Sequence, residues 1–195
     1  MPDFYFFFNS FLLGIGLAMD AFSVSMANAM IEKEMKRMRM CFIAGIYAAF
    51  QFLMPVIGFV AVKAASEKFS AFQKAVPYIA LVLLLYIGGK MLYDGFKNKS
   101  PEEEKVTKLT FAVLLLQGVA TSIDALSVGF TIVSYTLPLA LLAATIIAAV
   151  TFVICFSGLA IGKKFGKILK NKAYALGGLI LIFIGLEIFL KGVIK

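Results

Sequence analysis

The chain alternates between long apolar blocks and short polar stretches. Six blocks, at residues 5–30, 41–62, 78–96, 109–135, 138–162 and 174–194, approach or exceed the roughly 20 residues that a helix needs to cross a bilayer. Almost nothing is left over for a soluble domain. The pattern therefore predicts an all-α membrane protein with six transmembrane helices.

Composition agrees with this fold and narrows the possible chemistry. The chain is 62% hydrophobic, whereas soluble domains contain about 45–50% apolar residues. It contains no histidine, and Cys41 and Cys155 lie in different blocks without a paired-cysteine motif, so we predict neither a disulfide framework nor a structural zinc site. The first block has no basic residue before it and exceeds the length of a signal-peptide core, so we interpret it as a retained span. No resident cofactor is expected.

The basic residues predict an orientation, because cytoplasmic loops of membrane proteins are enriched in lysine and arginine. They concentrate in the loops after the first, third and fifth blocks: Lys33, Lys36, Arg37, Arg39, Lys97, Lys99, Lys105, Lys108, Lys163, Lys164, Lys167, Lys170 and Lys172. These loops should be cytoplasmic, and both termini extracytoplasmic. The net charge of +8 is then a matter of topology, and no nucleic-acid partner is expected.

The two halves of the chain resemble each other. The phrase MDAFSV at 19–24 returns as IDALSV at 123–128. Each half contains three blocks, an odd number, so the second half must enter the membrane from the opposite side. We therefore predict two inverted three-helix repeats, 1–96 and 109–195, joined by a charged cytoplasmic linker at 97–108. The same alignment pairs Gly14 with Gly118, Gly58 with Gly158, and Gln51 with Thr151.

Two aspartates at matching places in the repeats are the main candidates for function. A carboxylate at the centre of a membrane helix is unfavourable by at least about 2.5 kcal/mol, so it usually faces a partner, an ion or water. Asp20 and Asp124 each lie near mid-depth, where transporters with inverted repeats bind substrate. The structural alternative is a protonated acid that is hydrogen-bonded.

The residues around the aspartates favour a hard cation. Ser23 and Ser127 each follow their aspartate by three positions and so share its helix face. Carboxylate and hydroxyl oxygens suit manganese or magnesium, and also admit calcium. Alternatively, the serines bond helix carbonyls, as intramembrane serines often do. The predicted metal ligands are Asp20, Asp124, Ser23, Ser127, Asn28 and Gln51.

A second pair of charges, Lys90 and Glu187, falls at equivalent places in the third and sixth blocks. The two side chains either neutralise each other inside the bundle or extend to the membrane surface, since both lie near a predicted helix end. The sequence leaves both interpretations open.

Four phrases together resemble a known family. AMDAFS at 18–23, TSIDALSVG at 121–129, MPVIG at 54–58 and GGKM at 88–91 are similar to those of the bacterial manganese efflux pump family, MntP, of the lysine-exporter superfamily. The resemblance covers essentially the whole chain. It implies manganese(II) as the substrate, export as the direction, the bacterial plasma membrane as the location, and essential roles for Asp20 and Asp124.

The energy source is expected to be a proton gradient. Expelling a dication against an inside-negative potential requires about 4.6 kcal/mol per 100 mV, and the sequence has no nucleotide-binding motif. Two protons could exchange for one dication at the paired aspartates, as in an antiporter. The partners expected are therefore Mn²⁺, H⁺ and the lipid bilayer, while the sequence does not indicate an oligomeric state.

Two alternatives remain at this point. The first is an exporter of the same superfamily for another divalent cation or for an amino acid, although Lys90 is the only basic group at depth for a substrate carboxylate. The second is an intramembrane aspartyl protease, which also uses two aspartates. The Gly-x-Gly-Asp phrase of such enzymes is absent here.

Overall fold

All regular secondary structure in the described part of the chain is helical. The computed structural model describes residues 4–32, 34–64, 109–132 and 135–169, together with individual positions between 78 and 93 and between 176 and 190. Five helices have defined bounds: α1 (Phe4–Ile31), α2 (Arg37–Ala64), α3 (Phe111–Thr121), α4 (Ile123–Thr131) and α5 (Leu137–Leu169). The described positions between 78 and 93 and between 176 and 190 are also helical. The all-α prediction is confirmed for this part of the chain.

Among the described residues, three helical segments are long and apolar enough to cross a membrane: Phe4–Ile31, Arg37–Ala61 and Leu137–Phe165. The predicted fourth span, at 109–135, is a bent pair, because α3 and α4 meet at an angle of 46° around Ser122. The structure therefore corrects the expectation of one continuous helix there. The predicted third and sixth spans fall largely outside the described residues.

Glycines bring α1 close to α5. Gly14 lies against Val150, and a methyl group added at Gly158 would come within 2.8 Å of the carbonyl oxygen of Phe22. Small residues of this kind allow membrane helices to approach closely. The contact that is later in α1 is also later in α5, so the two helices run in the same direction.

The other helices pair in the same way. Gly118 of α3 lies against the ring of Phe50, and Gly58 of α2 lies against the carbonyl oxygen of Leu126 in α4. The helix α2 thus runs parallel to α3 and α4. Since a short turn at 32–36 joins α1 to α2 and reverses the chain, α1 and α3 run in opposite directions.

Within the described residues, the core contains two clusters of buried apolar side chains, one toward each end of the helix bundle. The Met35 cluster lies toward the turn at 32–36, and the Leu17 cluster lies toward the start of α1. The Met35 cluster contains Ala21, Val24, Ala27, Ala29, Ile31, Met35, Met40, Ile43, Ala44, Tyr47, Leu114, Ala120, Cys155, Leu159 and Leu181, and the Leu17 cluster contains Leu17, Met54, Phe59, Ala125, Leu126, Val128, Ile132, Ala140 and Ile147.

Candidate cation site between the two apolar clusters

A polar layer separates the two clusters on every described span. Between buried members of the two clusters, the boundary on α1 lies between Leu17 and Ala21, which brackets Asp20, and on the bent span it lies between Ala120 and Ala125, which brackets the helix break and Asp124. By the same criterion, the boundaries on α2 and α5 bracket two further polar residues, Gln51 (between Tyr47 and Met54) and Thr151 (between Ile147 and Cys155). The residues Asp20, Gln51, Asp124 and Thr151 thus occupy the level at which the apolar core changes clusters.

Asp20 lies in the middle of α1 and is partly buried. The residues on either side of it along the core face, Leu17 and Ala21, belong to different clusters. An acid at this position therefore lies at the boundary between the two apolar clusters.

Asp124 lies in the first turn of α4, directly after the break at Ser122. One of its carboxylate oxygens accepts a hydrogen bond of 2.9 Å from the backbone N–H of Ala125. A helix break frees N–H groups at the start of the new helix and carbonyls at the end of the old one. Asp124 therefore lies where backbone dipoles end inside the bundle, as in the interrupted helices that bind ions in many transporters.

The break at Ser122 is stabilised by hydroxyl groups that bond back to the chain. Thr121 donates its hydroxyl to the carbonyl of Gln117 at 2.8 Å, and Ser122 donates its hydroxyl to the carbonyl of Gly118 at 2.7 Å. The backbone N–H of Ser122 donates to the carbonyl of Val119, three residues back. These bonds compete with regular helix bonds and bend the span.

Gln51 is fully buried and presents unpartnered oxygen to the layer. Its amide nitrogen donates to the carbonyl of Leu17 at 2.9 Å, while its Oε1 has no hydrogen-bond partner within the described structure. Pro55 lies four positions further along α2 and has no N–H, so the backbone carbonyl of Gln51 also lacks its helical donor. Buried side-chain oxygens are normally hydrogen-bonded, so the Oε1 of Gln51 is available to accept a ligand.

Thr151 is the counterpart of Gln51 on α5. Its side chain is fully buried, and its Oγ1 likewise has no hydrogen-bond partner among the described residues. Threonine hydroxyls in membrane helices commonly bond the carbonyl four residues back, as Thr145 does on the same helix. Thr151 does not make this common bond within its own helix, so its Oγ1 remains available to a ligand in the polar layer.

The layer offers oxygen ligands and no cluster of soft ligands. Within the described residues, no three acidic or cysteine side chains lie close enough to hold a metal ion. A dication placed here would be neutralised by two carboxylates at most, so neutral oxygens from residues such as Gln51 and Thr151 would have to complete its coordination. Such a donor set favours Mn²⁺ or Mg²⁺ over thiophilic metals.

The other predicted ligands occupy different surroundings. Ser23 is partly buried and donates its hydroxyl to the carbonyl of Met19 at 3.1 Å, and Ser127 is partly buried on α4. Asn28 lies away from the layer, where its amide is bonded to Tyr47 and Gln117. The pair Lys90 and Glu187 falls outside the described residues.

Tyr47 and Gln117 were not among the residues predicted from the sequence. Each lies in a long apolar block and has no counterpart in the repeated aspartate phrase. The available signal was the amide of Gln117 within a membrane block, because such a group requires a hydrogen-bonding partner.

Comparisons with known proteins identify the family of the chain. The sequence model of the family described as "Putative manganese efflux pump" matches residues 34–189. A relative of that name from Methanosarcina mazei is 42% identical over 182 residues, covering 93% of this chain and 95% of its own. A second, from Ruminiclostridium cellulolyticum, is 38% identical over 180 residues, covering 92% and 93%.

The chain belongs to the MntP family. Membership confirms the resemblance predicted from the doubled aspartate phrase, and the family description is that of a transporter and not of an enzyme. A further relative, from Rippkaea orientalis, is 39% identical over 186 residues and covers 95% of this chain. No solved structure matches the sequence.

Proposed function

We propose that this MntP family member exports manganese(II) across the bacterial plasma membrane as a secondary transporter. The substrate and the direction follow from the names of its relatives. The observation that carries the proposal is the polar layer. Two carboxylates and two buried oxygens without partners, on four different spans, fit a hard dication better than they fit a structural role.

Alternating access from two inverted repeats is the mechanism we propose. Support comes from the glycine contacts. Each contact has an equivalent in which the two halves of the chain have exchanged their roles. The contact of Gly14 with Val150 corresponds to that of Gly118 with Phe50, and the contact of Gly158 with Phe22 corresponds to that of Gly58 with Leu126. The opposite directions of α1 and α3 fit the same inverted arrangement.

The transported ion would bind between Asp20 and Asp124, with Gln51 and Thr151 adding neutral oxygens. Ser23 and Ser127 lie one helical turn beyond the aspartates on the same helix faces and could also contribute hydroxyls. When Mn²⁺ leaves, two protons would replace its charge on the carboxylates. The site then stays nearly neutral in both loaded forms, which lets both reorient within the membrane.

The test is manganese export by cells that lack their own exporter. The wild-type chain should lower intracellular manganese and restore growth under manganese stress, and Asp20→Asn and Asp124→Asn should abolish both effects. Glu34→Gln is the matched control, because Glu34 is an exposed acid in the turn between α1 and α2. Its export should equal that of the wild type.

Export that survives both aspartate substitutions at equal expression would place the site elsewhere. A well-folded wild type that does not lower manganese would point to another cation or to an amino acid. Direct measurement of Ca²⁺, Mg²⁺, Cd²⁺ and lysine transport in proteoliposomes would then identify the substrate class.

A further inference from the structure

Three buried polar side chains from three helices form a closed hydrogen-bonded group. Asn28 donates to the hydroxyl of Tyr47 at 2.7 Å and to the side-chain oxygen of Gln117 at 2.9 Å. Tyr47 donates to the same oxygen of Gln117 at 2.9 Å, and Gln117 donates back to Asn28 at 3.2 Å. No side chain of this triad is more than 1% exposed. The triad is therefore sealed inside the bundle.

The triad lies on one side of both aspartates. Asn28 follows Asp20 by eight positions on α1, which is about 12 Å at 1.5 Å per residue. Gln117 precedes Asp124 by seven positions on the oppositely directed span. Both displacements lead toward the turn at 32–36, the end of the bundle whose basic residues predict a cytoplasmic location.

Further contacts close the same end of the bundle. Arg39 donates to the carbonyl of Leu109 at 2.5 Å and lies 3.5 Å from the carboxylate of Glu32. Lys163 of α5 donates to the carbonyl of Met35 at 2.6 Å. These contacts join the start of α3 and the far end of α5 to the turn between α1 and α2.

Toward the opposite end of the described bundle, a cavity of about 510 Å³ is lined by Asn9, Leu12, Leu13, Gly16, Leu17, Ile132 and Tyr135. Under the repeat, the counterparts of Gln117 and Asn28 are Leu13 and Ile132, which both line this cavity. At this end, two members of the triad are thus replaced by apolar side chains that line a cavity among the described residues.

We propose that the Asn28–Tyr47–Gln117 triad is the gate on the basic-loop side of the cation path. The inference rests on the alternating access in the proposed function and adds the residues that control access from that side. When the gate is closed, the three side chains satisfy one another. When it opens, the same groups bond water or the hydrated cation, so the opened path is polar without leaving a buried group unpaired.

A matched test measures access to a reporter between the gate and Asp20. Val24 is fully buried and lies four positions from both Asp20 and Asn28, on the same face of α1. Val24→Cys would be placed in a chain with Cys41→Ser and Cys155→Ala. A membrane-impermeant maleimide would then be applied to inside-out and right-side-out vesicles in separate experiments.

Tyr47→Phe removes the hydroxyl and keeps the ring. Gln117→Leu introduces the side chain found at the repeat counterpart, Leu13. Each should raise labelling of the reporter from the basic-loop side by about three- to tenfold, because interhelical hydrogen bonds of this kind contribute modestly and the gate populations shift accordingly. Tyr135→Phe is the matched control at the cavity end and should leave that labelling unchanged. Elution as a single species from a sizing column checks folding, and Tyr47→Phe is the conservative variant if Gln117→Leu misfolds.

Unchanged labelling in folded Tyr47→Phe, or an equal rise from both sides, would overturn the gate. The readout does not depend on transport, so it separates this inference from the proposed function. Labelling that shifts in a chain that fails to move Mn²⁺ would support the gate and remove manganese as the substrate. Manganese transport with unshifted labelling would support the function and refute the gate.

Discussion

The most informative single residue is Thr151, because its role in binding and its role in folding predict opposite results. Thr151→Val keeps the shape of the side chain and removes a buried oxygen that has no partner in the described structure. Removing such a group should leave stability unchanged or slightly higher. If the oxygen ligates the cation, the KM for Mn²⁺ in proteoliposomes should rise about tenfold, near the value of one hydrogen bond to a charged group.

Thr145→Val is the control on the same helix, since Thr145 is exposed and already bonds the carbonyl of Leu141. Its KM should not change. A Thr151→Val variant with normal KM would remove this residue from the site, whatever its melting temperature.

Sequence alone could identify the acids of the site but not the surroundings of every candidate. Asp20 and Asp124 stand out because charge in an apolar block is unfavourable, and Gln51 was found for a similar reason. Asn28 was predicted as a ligand on the same ground, yet its amide bonds Gln117, which lies 89 positions away in the chain. Hydropathy reports the presence of a polar group in the membrane but not which helix satisfies it.

At the scale of the helices, glycine contacts hold the parallel pairs together. Gly58→Ala and Gly158→Ala should each destabilise the protein by about 1–3 kcal/mol, because the added methyl group meets a backbone carbonyl that cannot move aside. Gly45→Ala, on the same helix as Gly58, meets nothing within 4 Å and should be neutral or slightly stabilising. Thermal unfolding in detergent would measure the difference. Equal melting temperatures for Gly45→Ala and Gly58→Ala would refute the close contact of α2 with α4.

The break between α3 and α4 shows what an apolar block can conceal. Residues 109–135 contain no proline within the α3–α4 stretch, and their hydropathy predicted one helix. The bend arises from the hydroxyls of Thr121 and Ser122, which bond carbonyls of the preceding turn. Serine and threonine make such bonds in straight helices as well, so the pair could not have fixed the break without the structure.

At the scale of the whole molecule, the charge carried by the bundle decides how transport responds to voltage. The layer contains two acids, and its other members, Gln51 and Thr151, are neutral. If one Mn²⁺ exchanges for two H⁺, no net charge crosses the membrane in a cycle. Manganese flux should then follow the pH gradient and change little when a potassium diffusion potential of about 100 mV is imposed.

Uncoupled movement of the dication gives a different result. Two charges moving through 100 mV exchange about 4.6 kcal/mol with the field, which would shift the equilibrium distribution of Mn²⁺ more than a thousandfold. Proteoliposomes with valinomycin and with separately set internal pH distinguish the two cases. Flux that tracks voltage and ignores pH would exclude the two-proton exchange, while leaving the polar layer as the binding site. Asp20→Asn should in either case abolish the flux, because one remaining carboxylate cannot neutralise the ion in the middle of the membrane.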